Sequence, residues 1–268
     1  MQIIRFFVYR PLSSLSLITL LSLLSGCVIG SESSGTTAPP LVTVAAGWQT
    51  LAPGLESRIY TPPNNSFGSL YVLRIDPAYY TFRSHYRPGA PLLLNEWQAA
   101  LPGAIAIINA NFFDQQHNAL GLVVADGIAY GQAYSDRGGM LQVQNGGVRV
   151  RSTILEPYFG EPLEQAVQAF PMLVTNGVNS FTNPNNNRSS RRTVAAQDAQ
   201  GRILLMVTPL LGLSLLDLAA YLPTTDMQIV NAVNLDGGGS TMMYVDAGSP
   251  YTLASFDAVP TVLAVYAR

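Results

Sequence analysis

A chain of 268 residues, 48% hydrophobic and only 11% charged, can fill one sizeable core. Fourteen basic residues against sixteen acidic ones give a net charge of −2 with no basic cluster, so a nucleic-acid partner is not expected. All the basic residues are arginine, which excludes Schiff-base catalysis and a P-loop, and the single cysteine, Cys27, allows no internal disulfide.

Arg5 and Arg10 precede an apolar run from Leu12 to Leu24 that ends in Leu24-Ser25-Gly26-Cys27. This order of basic, apolar and small residues predicts a secretory signal over 1–26, cut before Cys27, with a lipid attached to Cys27 in the manner of bacterial lipoproteins. The run is too short for a transmembrane anchor, which needs about 20 residues. The expected location is therefore the bacterial cell envelope, with the lipid on the outside of the cytoplasmic membrane or in the outer membrane. Without the two signal arginines, 12 basic and 16 acidic residues remain, a net charge of −4. The segment 27–40 is small, polar and proline-ended, and reads as a flexible tether to one domain over 41–268.

Short alternating or apolar runs at Leu41 to Ala45, Glu56 to Tyr60, Ser69 to Ile75 and Tyr79 to His85 predict an antiparallel meander. Leu92, Leu93, Trp97, Ala100 and Leu101 have helical spacing, stopped at Pro102-Gly103. Ala104 to Ile108 is a fully apolar strand that ends in Asn109-Ala110-Asn111-Phe112-Phe113-Asp114, and polar groups at such a strand end commonly form sites. Strands follow at Leu120 to Ala125, Met140 to Val143 and Val148 to Arg151, with hairpin turns at Asp126-Gly127 and Asn145-Gly146-Gly147. Glu161 to Ala169 is expected to be a short helix, and Pro171 to Gly177 a strand that ends at a turn. The stretch Val178 to Ser190 is too polar for core and leads to Arg191-Arg192-Thr193, then to a strand pair at Val194 to Gln197 and Ile203 to Thr208. Ser214 and Asp217 resemble a capping box, which opens a helix through Tyr221. A last strand is expected at Thr261 to Tyr266. With about a dozen strands and three or four helices, the expected class is an α+β domain around a mixed, mostly antiparallel central sheet.

Between two strand-like runs in Val230 to Val245 lies Asp236-Gly237-Gly238-Gly239-Ser240-Thr241. Three glycines can reach positive φ and aim successive amides into one concavity, a geometry that suits an anion. Two hydroxyls and a carboxylate add donors and one acid, base or nucleophile. Taken alone, the stretch is more commonly a glycine-rich hairpin whose aspartate caps its own turn.

His85 and His117 are the only histidines and lack a G-x-S-x-G elbow, so a Ser-His-Asp triad is not expected. Asp114 and Asp236 both follow apolar strands and can be imagined facing each other, the paired-carboxylate arrangement of glycoside hydrolysis. Arg191 and Arg192 are adjacent on a strand, so one must face inward, where it needs a protein carboxylate or a substrate phosphate.

Together these segments resemble the phosphodiester glycosidase family. The matching pieces are Asn109 to Asp114, Leu120-Gly121-Leu122-Val123, Asp126-Gly127, Pro171 to Gly177, Arg192-Thr193, the helix near Ser214 to Ala220, and Asn234 to Thr241. They stand in the family's order from Leu70 to Tyr266. The resemblance implies hydrolysis of a sugar 1-phosphodiester at its glycosidic bond, and with the expected envelope location the expected substrates are envelope or exopolysaccharide glycans. It places Asp236, Asp114 and Arg192 in catalytic roles. Asn109, Asn111, Asn176, Gly237, Gly238 and Gly239 bind substrate in this reading, with the Ser240 and Thr241 hydroxyls as further donors. No cofactor is expected and no metal ligand is assigned, although a divalent metal is left open. Two stretches depart from the family pattern: Gln168-Ala169-Phe170, where many relatives have glycines, and Val194-Ala195-Ala196. The alternative function is a non-catalytic lipoprotein that binds an anionic glycan.

Overall fold

The computed structural model describes residues 47–268 apart from 64, 66, 67, 186, 210 and 211. The signal peptide, Cys27, the tether over 27–40 and the expected strand Leu41 to Ala45 lie outside the described residues. The chain begins with β1 (Gln49–Ala52), β2 (Leu55–Tyr60), β3 (Leu70–Ile75), β4 (Tyr80–Tyr86) and α1 (Leu94–Ala100). Next come β5 (Ala106–Asn109), β6 (Phe112–Phe113), β7 (Ala119–Leu120), β8 (Val123–Ala125), β9 (Ile128–Tyr130), β10 (Gly139–Gln144) and β11 (Gly147–Ser152). The second half holds β12 (Gln165–Ala169), β13 (Met172–Thr175), β14 (Val178–Asn179), β15 (Thr193–Asp198), β16 (Ile203–Val207) and α2 (Leu215–Tyr221). It ends with β17 (Ile229–Asn234), β18 (Met243–Val245), β19 (Tyr251–Leu253) and β20 (Thr261–Ala267).

These strands form an eight-stranded sheet, β1-β2-β3-β16-β15-β17-β13-β14, and two five-stranded sheets, β11-β10-β12-β8-β9 and β19-β18-β5-β20-β4. A small hairpin pairs β6 with β7. Every pairing among the described strands is antiparallel. The expected α+β class, with a mixed central sheet and three or four helices, is therefore overturned. Among the described residues the protein is mostly β, with several sheets and two α-helices.

Part of that error lies at Glu161 to Ala169, where a helix was expected and β12 is found. Leu163 and Ala166 have helical spacing, but they pack on a different side from Val167 and Ala169, which enter the main core. A segment flanked on both sides, by β10 and by β8, takes the period of two that sheet pairing imposes.

The largest core fills the space between the sheets. Ile203, Leu205 and Val207 of β16 point into it, while Leu204 and Met206 point to the other face. That other face is covered by α2 through Leu215, Leu218 and Ala219, with Leu222 just beyond. Each buried leucine contributes about 2 kcal/mol of apolar transfer free energy. Ser214 caps α2, its hydroxyl accepting from the amide of Asp217 at 3.0 Å. In the same way α1, through Leu94 and Trp97, covers Ile107 of β5 and Val262 and Ala264 of β20. Strands buried on both faces explain why these runs read as continuously apolar rather than alternating.

Three tight hairpins stand where an Asn-Gly or Asp-Gly pair occurs. Asp126, Asn145 and Asn176 have φ of 50°, 52° and 51°, and each is followed by a glycine with positive φ. That backbone matches the right-handed twist of the flanking strands.

Candidate active site

Four strand ends from two sheets meet at one place. β5 of one five-stranded sheet ends at Asn109, and β17 of the eight-stranded sheet ends at Asn234, paired with Val194 near the start of β15. β13 starts beside them, with Asn234 donating to the Pro171 carbonyl at 2.9 Å. The two sheets are tied together by the Asp236 amide, which donates to the Ala110 carbonyl at 2.9 Å. The glycine turn leaves β17 at this junction.

Asn109 is fully buried and fastens the turn. Its amide nitrogen donates to the Asp236 carbonyl at 2.7 Å, and its Oδ1 accepts from the Thr193 hydroxyl at 2.9 Å and the Met242 amide at 3.1 Å. Asn111 is likewise a brace. Both its N–H groups go to the carbonyls of Leu122 and Gln168, at 3.0 and 2.8 Å. Neither residue offers the accessible amide that substrate binding was expected to use.

Asp236 has an unusual setting for a carboxylate. Burial pushes its pKa up to about 6, and the charge of Asp257 adds to the rise. Hydrogen bonds from the Ser240 hydroxyl and the Gly237 amide, the latter at 2.8 Å, pull the other way. A carboxyl poised near neutrality can change protonation state in a working enzyme.

The glycine turn itself differs from the expected open cradle. The Gly237 amide serves Asp236, and the Gly238 amide donates to the Arg191 carbonyl at 2.8 Å. The amides of Ser240 and Thr241 reach back to Gly237 and Gly238 within a short 3-10 turn. Ser240 and Thr241 are buried. The turn is thus shaped to hold Asp236. Its glycines are needed for close approach: a Cβ on Gly237 would lie 2.8 Å from the Arg191 carbonyl, and Gly238 has φ of 64°.

Arg191 is the inward arginine, and its partners are neither carboxylate nor ligand. It donates to the carbonyls of Thr241 and Ala254 and lies 4.6 Å from the centre of the Phe256 ring. Arg192 donates from Nε to the Leu213 carbonyl at 2.9 Å and from an Nη to the Arg188 carbonyl at 2.7 Å. Among the described residues neither forms an ion pair. Burial lowers the pKa of both. Two desolvated cations held only by neutral carbonyls keep positive potential available to an anion near the turn.

Two expected site residues form their bonds elsewhere. Asp114 closes its own loop, accepting from the amides of Gln116 and Asn118 at 2.9 and 2.8 Å and from the Asn118 side chain at 3.1 Å. These bonds hold its pKa below the usual carboxylate range, and no hydrogen bond links it to Asp236. Asn176 forms the hairpin turn between β13 and β14, beside the opposite end of β17, where the Gly177 amide meets the Val230 carbonyl. Six residues of extended chain, about 20 Å, separate Val230 from Asp236. The carboxylate that does reach Asp236 is Asp257, in the connection between β19 and β20, which sequence reasoning missed. Among the described residues, no group of three or more His, Cys, Asp or Glu is arranged to hold a metal ion.

Comparison with known proteins agrees with this architecture. Residues 102–266 match the family model described as phosphodiester glycosidase. The chain is 30% identical over 188 residues to the N-acetylglucosamine-1-phosphodiester alpha-N-acetylglucosaminidase of Mus musculus, covering 59% of this chain and 34% of that protein. It thus spans about a third of that relative's length. The catalytic domain of the zebrafish protein of the same name, auto-inhibited by its pro-peptide, shares the fold. Its TM-score is 0.63 at 20% identity, over 82% of this chain and 86% of that one. A hypothetical protein from Synechocystis gives a TM-score of 0.57 at 17% identity, over 87% and 64% of the two chains. The matched segment takes in both carboxylates of the junction, Asp236 and Asp257, and the chain belongs to the phosphodiester glycosidase family.

Proposed function

We propose that the chain hydrolyses the glycosidic bond of a sugar 1-phosphodiester, releasing the free sugar and a phosphomonoester. The observation that carries this is Asp236, a carboxyl with a pKa of about 6 fixed where four strand ends meet. The bond between the anomeric carbon and the bridging oxygen breaks, and the phosphate leaves with the bonding electrons. Water supplies the hydroxyl that ends on the sugar, and its other proton passes to the solvent. The departing phosphomonoester dianion is a weak base, its conjugate acid having a pKa of about 6, so its departure needs charge stabilisation more than protonation, and Arg192 beside the turn is suited to supply it. Asp236, ionised, supports the positive charge that develops on the anomeric carbon.

The working form of Asp236 is the anion, so kcat is expected to rise with pH through about 6 and level off above it. The check is release of N-acetylglucosamine from its methyl phosphodiester by the purified chain, followed across pH. A rate that falls through the same range would assign Asp236 to proton donation. Tight binding without turnover would leave a glycan-binding protein.

The substrate setting proposed is an envelope or exopolysaccharide glycan, reached from a lipid anchor on Cys27 of a bacterial cell. Cys27→Ser is expected to remove the acyl chains and release the protein from the membrane fraction. A variant that still sediments with membranes and carries lipid by mass spectrometry would overturn the anchor.

A further inference from the structure

Asp257 lies against the glycine turn on its exposed side. The amides of Phe256 and Asp257 both donate to the Gly239 carbonyl, at 2.7 and 3.1 Å, so the connection between β19 and β20 grips the turn at one point. The Asp257 carboxylate fills the space where a side chain on Gly239 would begin. The residue is exposed, and among the described residues it forms no ion pair. The guanidinium of Arg191 is turned to the Thr241 and Ala254 carbonyls beside the Phe256 ring and forms no ion pair with Asp257. An unneutralised negative charge therefore stands beside the carboxyl proposed to act on the substrate. Its field reaches Asp236, whose proton it helps to hold.

The substrate and product of the proposed reaction differ in charge. A phosphodiester carries one negative charge, whereas a phosphomonoester, with a second pKa of about 6, carries nearly two above neutrality. We propose that Asp257 sets the charge this site accepts, admitting the phosphodiester monoanion and repelling the phosphomonoester dianion, both as a competing sugar 1-phosphate and as the product to be released. The inference rests on the hydrolytic reading above and adds to it a reason for product departure.

Binding of methyl phosphate and dimethyl phosphate to the full chain, measured by phosphorus NMR titration at pH 8, tests it without relying on turnover. Asp257→Asn is expected to tighten methyl phosphate binding by about fivefold or more, the modest size expected for repulsion of a dianion near a well-solvated protein surface. Dimethyl phosphate, with half the charge, should gain only by about the square root of that factor, roughly twofold. Asp257→Glu, which keeps the charge, should leave methyl phosphate binding weak. Equal shifts for both phosphates, or no gain for methyl phosphate in a variant that unfolds at the wild-type temperature, would overturn the proposal. Failure of the wild-type chain to release sugar from any phosphodiester would count against the hydrolytic reading alone.

Discussion

Replacing Asp236 by asparagine is expected to lower kcat by about a hundredfold or more while making the fold more stable above pH 6. Both effects have one cause. Asparagine keeps the shape of the side chain and its acceptor for the Gly237 amide, but it removes the charge that faces the anomeric carbon in the transition state. KM should change little, since that interaction is made mainly as the bond breaks. The stability gain follows from the raised pKa. In the unfolded chain the carboxyl has its ordinary value of 3.8, and in the folded protein about 6. The folded state therefore binds the proton more tightly, and native stability falls as the pH rises from about 4 to about 6. Two pKa units correspond to roughly 3 kcal/mol, an upper figure for what asparagine restores above pH 6. Near pH 4 the unfolded carboxyl is close to half protonated and most of the difference should be gone, with the rest lost about one unit lower. Urea denaturation of the two proteins at pH 4 and pH 7.5, beside their kinetics, reads both effects. Equal stability at pH 7.5 together with full turnover would leave Asp236 a turn cap.

How far the residues disclosed this arrangement depends on the range of the interaction that decides each one. Asp126-Gly127, Asn145-Gly146 and Asn176-Gly177 are two-residue hairpin turns whose backbone is set by the pair itself, and such turns are legible locally. So is Ser214 as a helix cap, because its partner Asp217 is three residues away. Asp236 stands out as a carboxylate between a buried strand and three glycines. Asp114 was open to the same local reading, since Asn118 lies four residues on and the carboxylate bonds back to its own loop. The pairing expected across the site gives way to this short-range bonding. Asn176 lies away from the junction because the strand that carries it runs toward the other end of β17, a direction fixed by the pairing of β13 with β17.

Asp257 was beyond local reading altogether. The stretch Ser255-Phe256-Asp257 has no periodicity and no glycine pair. It arrives at Gly239 because β19 pairs antiparallel with β18, which sets Leu253 opposite Met243, so the chain that leaves β19 runs back alongside the turn that precedes β18. The overestimate of helix has a related origin. A strand buried on both faces loses the alternation that identifies it, and spacing of three then looks helical, as in Leu163 and Ala166.

Asn109→Ala is expected to cost about 3 to 5 kcal/mol of stability, a large effect for one polar residue. Its side chain is fully buried and satisfies three groups from three places: the Asp236 carbonyl, the Thr193 hydroxyl and the Met242 amide. Alanine leaves the carbonyl and the amide without these partners in a site water does not reach, and each such loss costs about 1 to 3 kcal/mol. In a domain of this size the unfolding temperature should fall by roughly 10 °C. Activity should fall too, but through position. With its carbonyl released, Asp236 is held only by the Ala110 contact and its own turn, and a shift of about 1 Å at a reacting group can cost a hundredfold. Asn109→Asp separates the terms. It keeps acceptance from Thr193 and Met242 while losing the bond to the Asp236 carbonyl and placing a second carboxyl in the interior, so its stability should recover at low pH, where that carboxyl is protonated. Thermal unfolding across pH, with kcat and KM measured well below the transition, distinguishes this clamp from the substrate-binding role that the family resemblance implies. A variant with unchanged unfolding temperature, unchanged kcat and a raised KM would return Asn109 to direct contact with the sugar.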